Sequence, residues 1–172
     1  MTRCFIAIGS NLQQPLDQAN RAVAELADLP GCTLKSVSRW YLSKAIGPGT
    51  QPDYINGVAE LDSSQSPIAL LRLLQSIENL HQRKRVQRWG ARTLDLDLLM
   101  FGESIINTPE LVVPPPRMLE RNFVLYPLMD VVPDLELPNG LILSEFIRSC
   151  PATDLQLVQG ESSNTMPHTI AP

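Results

Sequence analysis

The order of apolar patterns along the chain constrains its fold more than any single residue does. A short continuous apolar run at residues 4–8 predicts a buried strand, and apolar residues at helical spacing between Pro15 and Pro30 predict a helix. β-Branched and aromatic residues predict two more strands at 33–42 and 54–62. The first half of the chain therefore reads strand, helix, strand, strand.

The second half completes a familiar pattern. Ser66 followed by Pro67 is a helix start, and an apolar strand pattern covers 93–101. The order β-α-β-β-α-β is that of a ferredoxin-like α+β sheet. Residues 118–130 and 143–150 predict additional helices. We therefore expect a ferredoxin-like core with extra C-terminal helices, packed as three layers, α/β/α.

Length and composition indicate one domain. A chain of 172 residues with 44% hydrophobic content can bury a core without crosslinks. The end of the chain is polar and Pro-containing, which is typical of a weakly packed segment. We expect a single domain over 1–150 and a loosely held tail over 151–172.

The charge balance excludes some classes of function. A net charge of −4 argues against a protein that coats nucleic acid or an anionic membrane. Apolar spans of about 18 residues are absent from the sequence, and Cys4, Cys32 and Cys150 lack disulfide or zinc spacing. We expect a cytoplasmic monomer that binds neither nucleic acid nor membrane.

Two aspartates interrupt the apolar pattern at 93–101. Asp95 and Asp97 are two residues apart, so on a strand they share a face about 7 Å apart, and the leucines around them take the other face. Their mutual repulsion is about 2 kcal/mol at an effective dielectric near 20. Two divalent cations would offset it, and the alternative is an edge strand with a solvated face.

A basic cluster directly precedes the aspartates. Five of the fourteen Lys and Arg residues lie within ten positions: Arg83, Lys84, Arg85, Arg88 and Arg92. Guanidinium groups bind phosphate oxygens in bidentate fashion, so the cluster and the carboxylates together suit phosphoryl transfer. The alternative is a solvated basic loop. Trp89 within the cluster either closes over a bound ring or caps the core.

Three remaining features carry weaker signals. The turn at 9–11 lacks the pattern of a phosphate-binding P-loop, and the Pro- and Gly-rich loop at 47–52 is a candidate substrate lid. His81 is expected to be an exposed helix residue and His168 lies in the tail, so we assign a role to neither.

Four separated blocks resemble one known family. They are IAIGSNL at 6–12, QPDYIN at 51–56, RWGARTLDLD at 88–97 and RNFVLYPL at 121–128. The chain is similar to 6-hydroxymethyl-7,8-dihydropterin pyrophosphokinases of the folate pathway, from about residue 4 to about residue 148. The resemblance implies that the β,γ-pyrophosphoryl group of ATP passes to the pterin hydroxymethyl oxygen and that AMP leaves.

The resemblance also implies roles for individual residues. Asp95 and Asp97 would bind two Mg²⁺ ions, and Arg83 and Arg92 would stabilise the group in transfer. ATP would be bound by Gln75, Glu78, Arg83, Arg85, Trp89, Arg92, Leu98 and Arg121. The pterin would be bound by Ser43, Ile46, Tyr54, Asn56, Trp89, Asp95 and Phe123. By residue type alone, Gln75 and Glu78 also fit an exposed helix face, and Tyr54 and Phe123 also fit core packing.

Two departures from the family pattern bear on ATP. Residues 43–47 read SKAIG where relatives commonly show Thr-Pro-Pro before the glycine, and Pro115 stands where they commonly carry a nucleotide-contacting His. We expect weaker ATP binding with activity retained. The alternatives are a catalytically impaired pterin- and ATP-binding relative, and a ferredoxin-like nucleic-acid-binding module that uses the arginine run and Trp89.

Overall fold

The computed structural model describes residues 1–45, 49–81 and 93–158. Strands and helices alternate as the apolar patterns predict. The elements are β1 (Thr2–Ser10), α1 (Pro15–Ala27), β2 (Cys32–Val37), β3 (Tyr41–Ser43), β4 (Tyr54–Ser63), α2 (Pro67–Leu80), β5 (Asp95–Phe101), β6 (Ile106–Asn107), β7 (Val112–Val113), α3 (Asn122–Val131) and β8 (Gln156–Leu157). Short 3₁₀ helices cover Met118–Glu120 and Leu143–Ser149.

The main sheet is antiparallel and has the ferredoxin-like order. Its strands lie in the order β5-β1-β4-β3-β8, and β2 pairs with β4 beside β3. The single strand predicted at 33–42 is thus divided into β2 and β3, because Ser38 turns inward, and its Oγ accepts the Val58 N–H at 2.8 Å. The predicted fold class is confirmed.

Helices cover both faces of the sheet. On one face α1 and α2 pack on the even-numbered residues of β1, such as Ile6 and Ile8. On the other face α3 and the 3₁₀ helix at Leu143–Ser149 pack on Phe5 and Val58. The molecule therefore has the predicted three layers.

The start of α2 agrees with the sequence pattern. Ser66 is the N-cap, and its Oγ accepts the Ala69 N–H at 3.2 Å, while Pro67 takes the first helical position. Within the described residues, none of the helices combines the length and apolar character needed to cross a bilayer.

The first part of the predicted tail is ordered against the sheet. Gln156 and Leu157 form β8, which pairs with Leu42 and Tyr41 of β3. The described residues end at 158. The division into a domain over 1–150 and a loosely held tail over 151–172 stays a prediction.

Candidate active site

The register of three adjacent strands sets one row of side chains at the end of the sheet. Gly9 of β1 pairs with Asp95 of β5 on one side and with Asn56 of β4 on the other. Directly paired residues project from the same face, so Asp95 and Asn56 face the α3 layer about 10 Å apart with Gly9 between them. A glycine here leaves an open floor between the two polar side chains.

The aspartates have the geometry that the alternation predicts. Asp97 is exposed and Asp95 is half-buried, whereas Leu96 and Leu98 are buried in the core on the opposite face. Asp97 pairs with Ala7, so a second small residue of β1 lies beside the second carboxylate. Both carboxylates thus lie on the accessible side of a strand whose other side is fixed by the core.

A buried amide forms the other end of the row. Asn56 is 6% exposed, and its Nδ2 donates to Ser43 Oγ at 2.7 Å. The same nitrogen lies 3.4 Å from the carbonyl oxygen of Tyr41. Because Nδ2 is directed to β3, Oδ1 is directed to the floor, where it lies 3.8 Å from the position that a Cβ on Gly9 would take.

Two aromatic residues flank this end of the sheet. Tyr54 is half-buried, and its Cδ1 lies 3.8 Å from the same Cβ position on Gly9. Phe123, at the start of α3, is half-buried against the α3-side core, and Arg121 Cζ lies 5.9 Å from its ring centroid. Each ring is therefore partly packed and partly accessible.

A groove of about 290 Å³ runs beside the outer edge of β5. It brings together three residues that were predicted separately, Asp97, Leu98 and Arg121. Its other lining residues include Leu71, Glu110, Val112, Pro115, Met118 and Val124. Pro115, one of the two departures from the family pattern, thus lines the same groove as the predicted nucleotide residues Leu98 and Arg121.

The side of the groove near α2 carries an ion pair that sequence reasoning missed. Arg72 Nη1 donates to Gln75 Oε1 at 3.1 Å, and Nη2 of the same guanidinium pairs with Glu110. The spacing of Arg72 and Gln75 on α2 is a signal that could have suggested the first contact. The sequence around Glu110 gave no such signal, because Glu110 contacts α2 only in the folded protein.

Glu78 is buried, so its alternative reading as part of an exposed helix face is wrong. It is 4% exposed, and its Oε2 accepts the Leu96 N–H at 2.9 Å. Leu96 separates the two aspartates and β5 is an edge strand, so its outward N–H needs a partner. Glu78 supplies that partner and fastens α2 to the strand that carries the carboxylates.

The expected exposure of His81 is also wrong. His81 is 2% exposed, its Nδ1 contacts Gln18 Oε1, and its Nε2 lies 2.9 Å from Glu25 Oε1. The residue caps the C-terminus of α2 at the point where α1 packs beside it. The error arose because helical spacing on α2 gave no sign of polar partners on another helix.

The turn at 9–11 is more than a chain reversal. Ser10 Oγ donates to the Thr93 carbonyl, and Asn11 Nδ2 donates to the Pro52 carbonyl at 2.9 Å. These bonds connect the end of β1 to the residues that precede β5 and β4. Sequence reasoning assigned a tight turn here and missed this positioning role.

Several predicted site residues lie outside the described ranges: Ile46, Arg83, Arg85, Trp89 and Arg92. Their roles, and part of the candidate lid at 47–52, stay predictions. Among residues 1–45, 49–81 and 93–158, His, Cys, Asp and Glu side chains form no group of three or more that could hold a metal.

Solved structures with a similar fold have low sequence identity to this chain. A crystal structure of an HPPK-DHPS in complex with substrates has a TM-score of 0.62 and 10% identity, and the match covers 87% of this chain and 45% of that chain. Wild-type Plasmodium falciparum HPPK-DHPS with SDX-DHP also gives a TM-score of 0.62, with 11% identity over 87% of this chain and 43% of that chain. The present chain therefore spans less than half of those longer chains, and the likeness is one of fold.

Proteins related in sequence align with this chain over nearly their whole length. A 2-amino-4-hydroxy-6-hydroxymethyldihydropteridine pyrophosphokinase from Pseudomonas aeruginosa is 46% identical over 158 residues, which is 92% of this chain and 98% of the relative. The protein of the same name from Haemophilus influenzae is 43% identical over 148 residues, which is 86% of this chain and 92% of the relative.

Fold and site together define a ferredoxin-like α+β protein with a polar row across one end of its sheet. The chain belongs to the 7,8-dihydro-6-hydroxymethylpterin-pyrophosphokinase (HPPK) family, whose model matches residues 5–133. It transfers pyrophosphate to hydroxymethyldihydropterin in folate synthesis, with ATP as co-substrate. The resemblance found in the four sequence blocks is confirmed.

Proposed function

We propose that the row Asp95, Gly9 and Asn56 is the centre of the site, with metal at one end and pterin at the other. The proposal is supported chiefly by register. Two hydrogen-bonded strand pairings bring a candidate metal ligand and a candidate pterin ligand to the same face, about 10 Å apart. That separation suits a substrate ring bound at Asn56 whose hydroxymethyl group points toward the carboxylates.

Asp95 and Asp97 are proposed to hold two Mg²⁺ ions. The residues fit such ions, because both are accessible carboxylates on one face of a strand. Mg²⁺ retains several waters and is usually held by one or two carboxylates together with substrate phosphates, so a larger protein cage is not required. Bound there, the ions would neutralise charge on the phosphate oxygens.

Asn56 is proposed to recognise the polar edge of the pterin. Its Nδ2 is committed to Ser43 Oγ, so the amide orientation is fixed and Oδ1 can accept an N–H from the ring. Tyr54 and Phe123 offer aromatic faces near the same floor, and a flat heteroaromatic ring stacks well on them. Ile46 and Trp89 belong to this set by resemblance.

The groove beside β5 is proposed to bind ATP. Leu98 offers an apolar wall and Arg121 a cation in the same groove as Asp97, with Gln75 held by Arg72 nearby. Glu78 acts through the Leu96 N–H and fixes the strand beneath the nucleotide. Arg83, Arg85, Trp89 and Arg92 join the ATP set by resemblance.

The reaction needs positioning more than covalent catalysis. The pterin hydroxyl oxygen forms a bond to the β-phosphorus, the bond from that phosphorus to the α,β-bridging oxygen breaks, and the hydroxyl proton is lost as AMP leaves. Phosphoryl transfer of this kind depends on alignment and on charge stabilisation. Asn56 supplies alignment, and Arg83 and Arg92 are proposed to stabilise the moving group.

We further propose that the chain acts as a cytoplasmic monomer without nucleic acid or membrane. The net charge of −4 supports the absence of nucleic-acid and membrane binding, since a surface that binds many phosphate groups needs an excess of Lys and Arg.

Product identity tests the proposal. Purified protein with ATP, Mg²⁺ and 6-hydroxymethyl-7,8-dihydropterin should form AMP and the pterin diphosphate, and removal of Mg²⁺ with EDTA should stop turnover until Mg²⁺ is restored in excess. ADP as the product would contradict pyrophosphoryl transfer. Binding of both substrates without turnover would favour the catalytically impaired relative instead.

A further inference from the structure

The segment at residues 151–158, here called the C-terminal strap, connects two parts of the molecule that the chain otherwise keeps apart. It begins next to the first turn of α3 and ends beside β3. Both places adjoin proposed pterin residues, since Phe123 belongs to the first turn of α3 and Ser43 ends β3.

One side chain anchors the start of the strap. Asn122 Nδ2 donates to the Pro151 carbonyl at 3.1 Å and to the Thr153 carbonyl at 3.0 Å. A primary amide has two N–H donors, so a single Asn can bind both carbonyls, whereas an aspartate can bind neither. Asn122 directly precedes Phe123, so the anchor acts on the aromatic residue's own backbone.

The other end of the strap is an edge strand. Leu157 and Gln156 pair with Tyr41 and Leu42, and Val158 N–H donates to the Trp40 carbonyl at 2.9 Å. Val158 also packs against the core on the α1 and α2 side of the sheet. This end is therefore fixed to the rigid sheet.

The strap is too short to allow α3 much freedom. Three residue steps separate Thr153 from Gln156, and an extended chain reaches at most about 11 Å over three residues. The far end of α3 is held as well, because Arg39 Nη2 donates to Asp130 at 2.8 Å and Tyr41 OH donates to the same carboxylate at 2.9 Å. Both ends of α3 are therefore connected to β3 or to residues next to it. These contacts fix the distance between α3 and the floor at Gly9.

We propose that Asn122 is a positioning residue for pterin binding, and that the strap sets the distance between Phe123 and the Ser43–Asn56 pair. This inference rests on the proposed pterin roles of those residues. Alignment errors near 1 Å are costly in a reaction that depends on positioning. Loosening the strap should therefore weaken pterin binding more than it affects ATP.

The test uses two full-length variants at opposite ends of the strap. Asn122→Asp removes the amide donors, and Val158→Pro removes the N–H that binds Trp40. Each should raise the KM for hydroxymethyldihydropterin about tenfold, which corresponds to about 1.4 kcal/mol, with kcat and the KM for ATP within about twofold. The double variant should be no worse than the worse single, because both release one strap.

Two control variants match the changes. Val158→Thr keeps the N–H and the side-chain shape, and Asn107→Asp adds the same charge on the separate β6–β7 hairpin. Both should behave as wild type. Asn122→Ser, whose hydroxyl cannot span both carbonyls, replaces Asn122→Asp if that variant does not fold. Additive effects, an effect at one end alone, or equal losses in kcat and both KM values would overturn the proposal.

Hydrogen exchange separates failure of the strap from failure of the proposed site. Asn122→Asp should increase amide exchange in a peptide that contains Val158, whether or not the protein turns over pterin. Unchanged exchange overturns the strap itself. Faster exchange with unchanged pterin KM, in a wild-type enzyme that is active, overturns only the link to pterin binding and leaves the proposed reaction intact.

Discussion

The proposed pterin side and the proposed nucleotide side of the site are built in different ways. The pterin side lies on three paired strands, and Asn56 there is buried and hydrogen-bonded to Ser43. The proposed nucleotide side lies at the outer edge of β5, in a groove whose lining includes Pro115 and Arg121. One side is defined by backbone pairing, and the other by side chains from elements that meet only in the folded protein.

The difference indicates where each side can tolerate change. Strand pairing fixes Cα positions through many cooperative hydrogen bonds, so a substitution on the pterin side alters shape without moving the frame. The groove residues come from α2, from β5, from the segment after it and from the start of α3, so we expect substitutions there to alter affinity gradually.

Asp97→Ala tests the point where the two sides meet. We expect kcat to fall about 10³-fold, or about 4 kcal/mol, because a proposed Mg²⁺ ligand is lost. The thermal midpoint should change little, since the side chain is exposed. Asp62→Ala is the matched control, because Asp62 lies at the end of β4 that is far from the site, opposite Arg3 of β1 in the strand register. Near-normal kcat in Asp97→Ala would refute the metal role.

Gly9→Ala tests the pterin side. The nearest side-chain atoms to the added Cβ are 3.8 Å away, so the free protein should keep its stability. The methyl group would nevertheless occupy the floor between Asp95 and Asn56, and overpacking of about 2 kcal/mol should raise the pterin KM roughly 30-fold. A pterin KM within twofold of wild type, measured by steady-state kinetics, would show that the ring binds elsewhere.

Pro115→His tests the nucleotide side by restoring the residue that relatives commonly carry. A hydrogen bond to a charged phosphate contributes about 1.5 kcal/mol or more, so the KM for ATP should fall about tenfold while the pterin KM stays the same. Pro116→His is the control, because it places the same side chain one position along. An unchanged KM for ATP would show that Pro115 does not lower the affinity for ATP.

The fold followed from local patterns because its elements are long and strongly periodic. Within the run at 93–101, residues 94–98 alternate Leu and Asp, and this alternation places the carboxylates opposite the core. Likewise, Ser66-Pro67 marks the start of α2 whatever the helix packs against. The four family blocks then predicted the activity, and the family model and the relatives confirm it.

The site could be predicted only in part, because its polar contacts join residues far apart in sequence. Glu78 binds Leu96, and His81 binds Glu25 on α1. Neither contact has a local signature, because helical spacing indicates a face and not the partner that the face meets. The Arg72–Glu110 pair was missed for the same reason.

Local residue patterns thus predict which residue types lie on which face of each element, because side-chain direction follows from the backbone period of 2 or 3.6 residues. The tertiary structure alone decided that Gly9 lies between Asp95 and Asn56, and that Asn122 binds the strap. The register between strands and the position of the strap both depend on the packing of the whole core. The residues that form this core come from distant parts of the chain, so no local pattern specifies either feature.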